Sequence, residues 1–329
     1  MTSQTTPLQP TTPLVASTPA SRETLGLWLG LVGVALFALT APMTRLAAGT
    51  EQAPTMSAWF IASARAVLAG ALSIVFLLIT RSRLPSAAER KPLLWAALGS
   101  VVGFPVLLAS ALRVVDASHA AVITALLPLA TAAMAAWVMG QRAHWGFWLC
   151  AVLGAALVVV YALHRGHAMG HGFSLSHADW LLLGAVLMGS LGYVHGARIT
   201  PSLGAEQVIC WICVAALPLT VPVAILTWPS HSLPSSAWWG LAYTGVFSMW
   251  AGFFAWYRGL ALGGTLKVSQ VQLLQPFFSI VAAIPLLGET LDGITLAFAL
   301  GVVLTVFIGK RFTPQHAPSQ SASTRKDNP

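Results

Sequence analysis

Ten apolar segments, each close to twenty residues long, follow one another with little chain between them. They run over about 25–46, 54–80, 92–112, 118–139, 145–163, 178–197, 206–228, 237–257, 267–287 and 291–309. A helix needs about 20 apolar residues to cross the roughly 30 Å of hydrocarbon in a bilayer. Lipid offers no partner for backbone amides, so a spanning segment must be a helix or a strand of a closed barrel. Long unbroken apolar runs exclude the barrel, whose strands alternate. The expected fold class is therefore an all-α integral membrane protein with ten transmembrane helices. Composition agrees: 8% of residues are charged and 57% apolar, against roughly 25% and 45–50% in soluble domains. So few charges could not cover a water-soluble surface.

Residues 112–140 and 260–288 overlay without a gap at a constant offset, 260 − 112 = 148. Leu112 falls on Leu260, Leu126 on Leu274, Pro128 on Pro276, Ala135 on Ala283 and Gly140 on Gly288. Each stretch is an apolar helix with a proline midway and a glycine at its end. Both residues dictate backbone geometry, so their recurrence predicts a duplication. Five helices per half is an odd number. The second half then enters the membrane from the opposite face, which gives two inverted five-helix repeats of the kind transporters use. The expected division is a disordered cytoplasmic tail at 1–24, a first repeat at 25–163, a His- and Gly-rich extracytoplasmic loop at 164–177, a second repeat at 178–310 and a disordered cytoplasmic tail at 311–329. The N-terminal tail lacks the basic start of a signal peptide, and the apolar run after it is too long for one.

The net charge of +8 would suit nucleic acid, but the placement of the charges argues against it. With the N-terminus cytoplasmic, thirteen of the 17 Lys and Arg are cytoplasmic: Arg22, Arg81, Arg83, Arg90, Lys91, Arg142, Arg198, Arg258, Lys267, Lys310, Arg311, Arg325 and Lys326. Arg45, Arg113 and Arg165 lie on the other side, and Arg65 within a helix. This positive-inside bias predicts both termini in the cytoplasm of a multi-pass cell-membrane protein, such as one of a bacterial inner membrane. Trp28, Trp95, Trp145, Trp180, Trp228, Trp238 and Trp239 stand near segment ends, as an interfacial belt requires.

Three stretches carry a family resemblance: "APMTRLA" at 41–47, "ALRVVDASHAAVITALLPLATAAMAAWVMGQR" at 111–142 and "GLALGGTLKVSQVQLLQPFFSIVAAIPLLGET" at 259–290. The chain resembles the EamA branch of the drug/metabolite transporter superfamily over nearly all of residues 25–310. The resemblance implies this fold and a transport function. It leaves the solute open, since the family carries amino acids, metabolites, sugars and drugs. One position departs from the family: the acidic residue usual after the first-half glycine is Gln141.

Polar side chains inside helices are costly in lipid and should face a cavity or a partner. Thr124 and Thr131 share one helical face, as do Gln272, Gln275 and Ser279. At the 148 offset Thr124 overlays Gln272 and Thr131 overlays Ser279, so the two stripes would meet in a central cavity. Hydrogen bonding between helices is the alternative use of such residues, and a threonine can bond its own backbone. Pro128 and Pro276 each remove a backbone donor, which makes them candidate hinges beside a binding site or simple packing kinks. Arg65 has no carboxylate at its depth, so it contacts either an anionic substrate or backbone carbonyls. Lys267 and His119 occupy equivalent repeat positions at opposite faces. Lys267 could attract an anion, while His119 reads as an interfacial side chain. His195 and the CxxC of Cys210 and Cys213 read as packing. No zinc partners flank the cysteines, and His164, His167, His171 and His177 read as a solvated loop.

These observations predict a carrier of small organic solutes, exporting or exchanging them by alternating access. Its partners are a small-molecule substrate and the lipid bilayer, with no cofactor, no metal and no nucleic acid; oligomeric state stays open. The alternative is an exchanger of anionic sugars or phosphates using Arg65 and Lys267. An integral-membrane enzyme would need polar catalytic clusters at the surface, and the short loops supply none. Nor is there a Walker-type sequence for an ATP-driven pump.

Overall fold

The structure, a computed structural model, describes residues 19–138, 144–168, 175–263, 268 and 271–312. Among them the chain is helical throughout, apart from turns and one isolated bridge between Gly49 and Pro54. We number the helices α1 (Arg22–Ala48), α2 (Ala58–Ile79), α3 (Ala87–Ala111), α4 (Ala117–Val138), α5 (Trp145–Ala168), α6 (His177–Leu203), α7 (Ala205–Leu226), α8 (235–263), α9 (Gln272–Leu287) and α10 (Gly293–Lys310). Seven of them, α1 to α7, are long and apolar enough to cross a membrane. The final pair are shorter apolar helices. The helical winding that leads into α1 begins already at Pro19, and α5 continues to Ala168, so helix extends into stretches expected to be tail and loop.

The exterior is apolar in the manner of a lipid-facing surface. Ile79 and Leu226 are 77% and 83% exposed, and Ile225 and Val152 also point outward. A soluble protein would bury such side chains or mark a binding patch with them. Trp28, Trp145, Trp180, Trp228 and Trp239 are exposed near helix ends, where amphipathic rings suit the membrane interface.

Inside, helices pair along their lengths. α1 lies against α8, α2 against α7, α3 against α6 and α5 against α10; α4 touches α6 and α9, and α9 touches α1. Glycines set the closest approaches. A Cβ on Gly99 of α3 would stand 2.5 Å from Gly192 N of α6, and one on Gly259 of α8 would stand 2.7 Å from Gly30 N of α1. Backbone meets backbone at both crossings, as small residues permit in membrane helix packing. Gly288 ends α9 in the left-handed conformation, at φ +70, with its N–H bonded to Ile284 O. Its repeat partner Gly140 lies outside the described residues.

Two irregularities shape the interior. Residues Leu98–Gly103 of α3 and Thr244–Ala251 of α8 are wound as π-helix. Both α4 and α9 change character just before their proline. A turn at 125–126 precedes Leu127–Val138, and a 3₁₀ stretch at Gln272–Leu274 precedes Gln275–Leu287. Proline has no N–H to continue the ladder, so the winding loosens over the preceding turn. π-Turns free backbone groups in the same way and recur at functional sites.

Candidate functional site

These loosened turns converge on one cavity of about 980 Å³, open solvent at its mouth included. Its walls come from α1, α2, α3, α4, α6, α8, α9 and α10.

Arg65 of α2 is the charged group of this wall. It is 3% exposed, and its Nη2 donates to Ser248 Oγ at 3.3 Å. The Ser248 and Thr40 hydroxyls lie 2.7 Å apart, so a polar chain joins α2, α8 and α1. Arg65 Nε and Nη1 have no hydrogen-bond partner among the described residues. Guanidinium N–H groups left unpaired in apolar surroundings are costly, and these belong to a side chain on the cavity wall. Ser279 Oγ on α9 is likewise buried without a partner among the described residues. The remaining wall is mostly apolar: Phe37, Phe104, Leu108, Met249 and Phe253 line it, with Phe37 and Phe253 rings 4.9 Å apart at 62°.

Of the residues singled out in the sequence, Arg65, Thr124, Gln272, Gln275, Ser279, Pro128 and Pro276 all border this cavity. Thr124 spends its hydroxyl on Ala120 O at 2.8 Å, within its own helix. Thr131 does not border it, contrary to expectation. Its hydroxyl bonds Leu127 O at 2.7 Å and Ser190 Oγ at 3.3 Å, so it stitches α4 to α6. Thr131 belongs to the stretch Leu127–Val138 that follows the turn, and there its side chain meets α6. Lys267 lies outside the described residues. Ser248, Thr40, Ser100 and Tyr193 line the cavity without having been singled out. For Ser100 and Ser248 a signal exists, since they too stand 248 − 100 = 148 residues apart.

Beyond the cavity, toward Asp116, the helices are tied closely. Leu112, Ala117, Ala120, Val122 and Ala283 are fully or almost fully buried there. Arg45 of α1 donates to Leu112 O at 2.6 Å and to Val115 O, and pairs with Asp116 at 3.6 Å. Arg165 bridges Asp116 at 3.4 Å and Asp292 at 3.5 Å. Burial opposes ionisation of Asp292, but the Ile294 N–H, the Thr295 hydroxyl and Arg165 outweigh it and hold this carboxyl below its ordinary value. Glu289 accepts from Ala117 N at 2.7 Å and Ser118 N at 3.0 Å, which caps the start of α4. His119 is not an interfacial side chain. It is 4% exposed, with Nε2 2.7 Å from Asp179 Oδ1. Asp179 also caps α6 with Ser176. Cys150, Cys210 and Cys213 are buried and unpaired. His195 is buried too, with Nδ1 3.0 Å from Leu191 O.

Comparison with known proteins bears on this arrangement. The model of the EamA-like transporter family matches residues 24–163 and again 177–309. A protein of Bacillus subtilis (strain 168) called "Uncharacterized transporter YdeK" is 38% identical over 290 residues, which cover 87% of this chain and 97% of that one. A solved structure described only as "Crystal structure of protein" superposes with a TM-score of 0.60 at 19% identity, over 88% of this chain and 99% of the other. That likeness concerns the fold alone. Two family matches that together span most of the sequence, and a relative at this identity, lead to one conclusion: the chain belongs to the EamA-like transporter family, a family of multi-pass membrane proteins.

Proposed function

We propose that this protein carries small organic solutes across the cell membrane by alternating access, with ten spanning helices in two inverted five-helix repeats and both termini cytoplasmic. One observation carries this reading: a cavity at the junction of the halves, walled by apolar side chains and holding buried donors that no described residue satisfies. The helix pairing supports the repeat. Exchanging each helix for its counterpart five places on leaves the pairs α2–α7, α5–α10 and α4–α9 unchanged and turns α1–α8 into α6–α3. Irregular turns recur in register as well, since 98 + 148 = 246 and 103 + 148 = 251 place one π-turn inside the other. Pro128 and Pro276 are the hinges of this scheme, for the helices loosen beside them. Arg65, Thr124, Gln272, Gln275 and Ser279 are its substrate-facing residues.

Counterflow in proteoliposomes against pooled metabolites tests the reading. Purified protein should accumulate labelled solute against an unlabelled internal pool. Gln275→Leu should slow or retune that exchange by about tenfold, the cost of one lost hydrogen bond of roughly 1–1.5 kcal/mol. No accumulation of any solute, or unchanged kinetics in both Gln272→Leu and Gln275→Leu, would overturn it. Orientation has its own check. Alkaline phosphatase should be active when fused after Ala168 and inactive at the C-terminus, and the reverse pattern would invert the assignment.

A second reading, exchange of anionic sugars or phosphates, is favoured by the unpartnered donors of Arg65. The charge of the cavity separates it from other anions.

A further inference from the structure

We infer that the cavity takes a monoanionic carboxylate with an apolar body, its carboxylate seated on Arg65. The inference rests on the reading of this cavity as the binding site and adds the class of ligand. Its first support is the unfinished coordination of Arg65. A guanidinium offers five N–H donors. Here a single contact is made, to Ser248 Oγ, while Nε and Nη1 stay unpartnered among the described residues on a side chain that is 3% exposed. A group so placed is completed by an acceptor arriving in the cavity, and a planar two-oxygen carboxylate matches its geometry. Ser279 Oγ supplies a further hydroxyl on the cavity wall that is unpartnered among the described residues.

Charge balance sets the valence. Arg65 is the one lining side chain, among the described residues, that is ionised at neutral pH. A monoanion therefore neutralises the site. A phosphate dianion would leave a net negative charge in apolar surroundings, and an amine would place like charge beside Arg65; both are penalised by poor solvation. A zwitterionic amino acid brings a cation that no lining carboxylate among the described residues offsets. Body shape follows from the rest of the wall, where Phe37, Phe104, Met249 and Phe253 offer aromatic and polarisable surface and the polar side chains, Gln272 and Gln275 among them, are uncharged.

Four probes sharing one apolar body test this on the purified protein: 3-phenylpropionate, 3-phenylpropionamide, 3-phenylpropylamine and 2-phenylethyl phosphate at about pH 8, where the phosphate is a dianion. Binding is read from tryptophan fluorescence and from the shift in thermal unfolding. 3-Phenylpropionate should bind about tenfold or more tighter than its isosteric amide, and tighter than the amine or the phosphate. Arg65→Gln should erase the preference of acid over amide, and Arg65→Lys should keep part of it. Equal affinity for acid and amide, tighter binding of the phosphate, or a preference that survives in Arg65→Gln would each overturn the assignment. The wild-type ranking alone decides the matter if the variants do not fold. Should no probe bind while counterflow finds another solute, the carboxylate assignment falls and the transport reading stands.

Discussion

Replacing His119 by leucine is expected to destabilise the folded protein by about 3 kcal/mol, the largest effect expected of any change away from the cavity. His119 and Asp179 are 4% and 2% exposed, and Nε2 lies 2.7 Å from Oδ1. Asp179 Oδ2 has its own partners in Ser176 N and Oγ, whereas Oδ1 faces the imidazole. Leucine strands that oxygen among apolar neighbours, where an unmet polar group is expensive. The pair also joins the start of α4 to the start of α6, so its loss should loosen the end of the bundle held by Asp116 and Glu289. Thermal unfolding in detergent measures the effect. A double variant, His119→Leu with Asp179→Asn, should recover part of the loss because the stranded charge is gone. A single variant as stable as the wild type would remove the pair from any structural role.

Thr124→Trp is expected to reduce counterflow by at least about a hundredfold while folded yield stays near normal. Thr124 lies on the cavity wall, half-buried, and its hydroxyl bonds carbonyls of its own helix. The substitution thus breaks no bond between helices and fills space where a solute would sit, roughly 3 kcal/mol of lost binding when converted to a rate. Thr124→Val is the control. It keeps the volume and discards a hydroxyl already satisfied internally, so transport should change little. Comparable losses in both variants would mean that the threonine acts through its oxygen. Full transport by the tryptophan variant would place the solute path elsewhere.

Much of the fold is legible in the amino-acid sequence alone, for identifiable physical reasons. Lipid forces long apolar runs into helices, so the run lengths by themselves read out α1 to α7. Pro128 and Pro276 announce loosened turns because proline acts on its own backbone, whatever surrounds it. Arg65 stands out because an ionised side chain deep in an apolar helix has few possible uses. Contacts between distant segments are less accessible. His119 and Asp179 each head a helix, where a polar residue is ordinary, and nothing local says that the two meet. Thr131 is spent on Ser190 of α6, a neighbour that spacing along its own helix cannot name. Thr40 and Tyr193 stand among other polar residues of their helices, such as Thr44 and Ser190, and are conspicuous only once α1 and α6 are seen to face the cavity. Ser100 and Ser248 emerge when the 148-residue overlay is extended toward the N-terminus.

The central claim is that one cavity serves both faces of the membrane in turn. Side-specific thiol labelling tests it most directly. Cys150, Cys210 and Cys213 are replaced by alanine, and Gln275→Cys puts a single thiol on the cavity wall. In proteoliposomes of known orientation, a membrane-impermeant thiol reagent supplied from either face should label this position. Transported solute should slow the labelling, and Thr124→Trp should suppress it. Labelling from one face alone under all conditions, or from neither face, would contradict alternating access through this cavity.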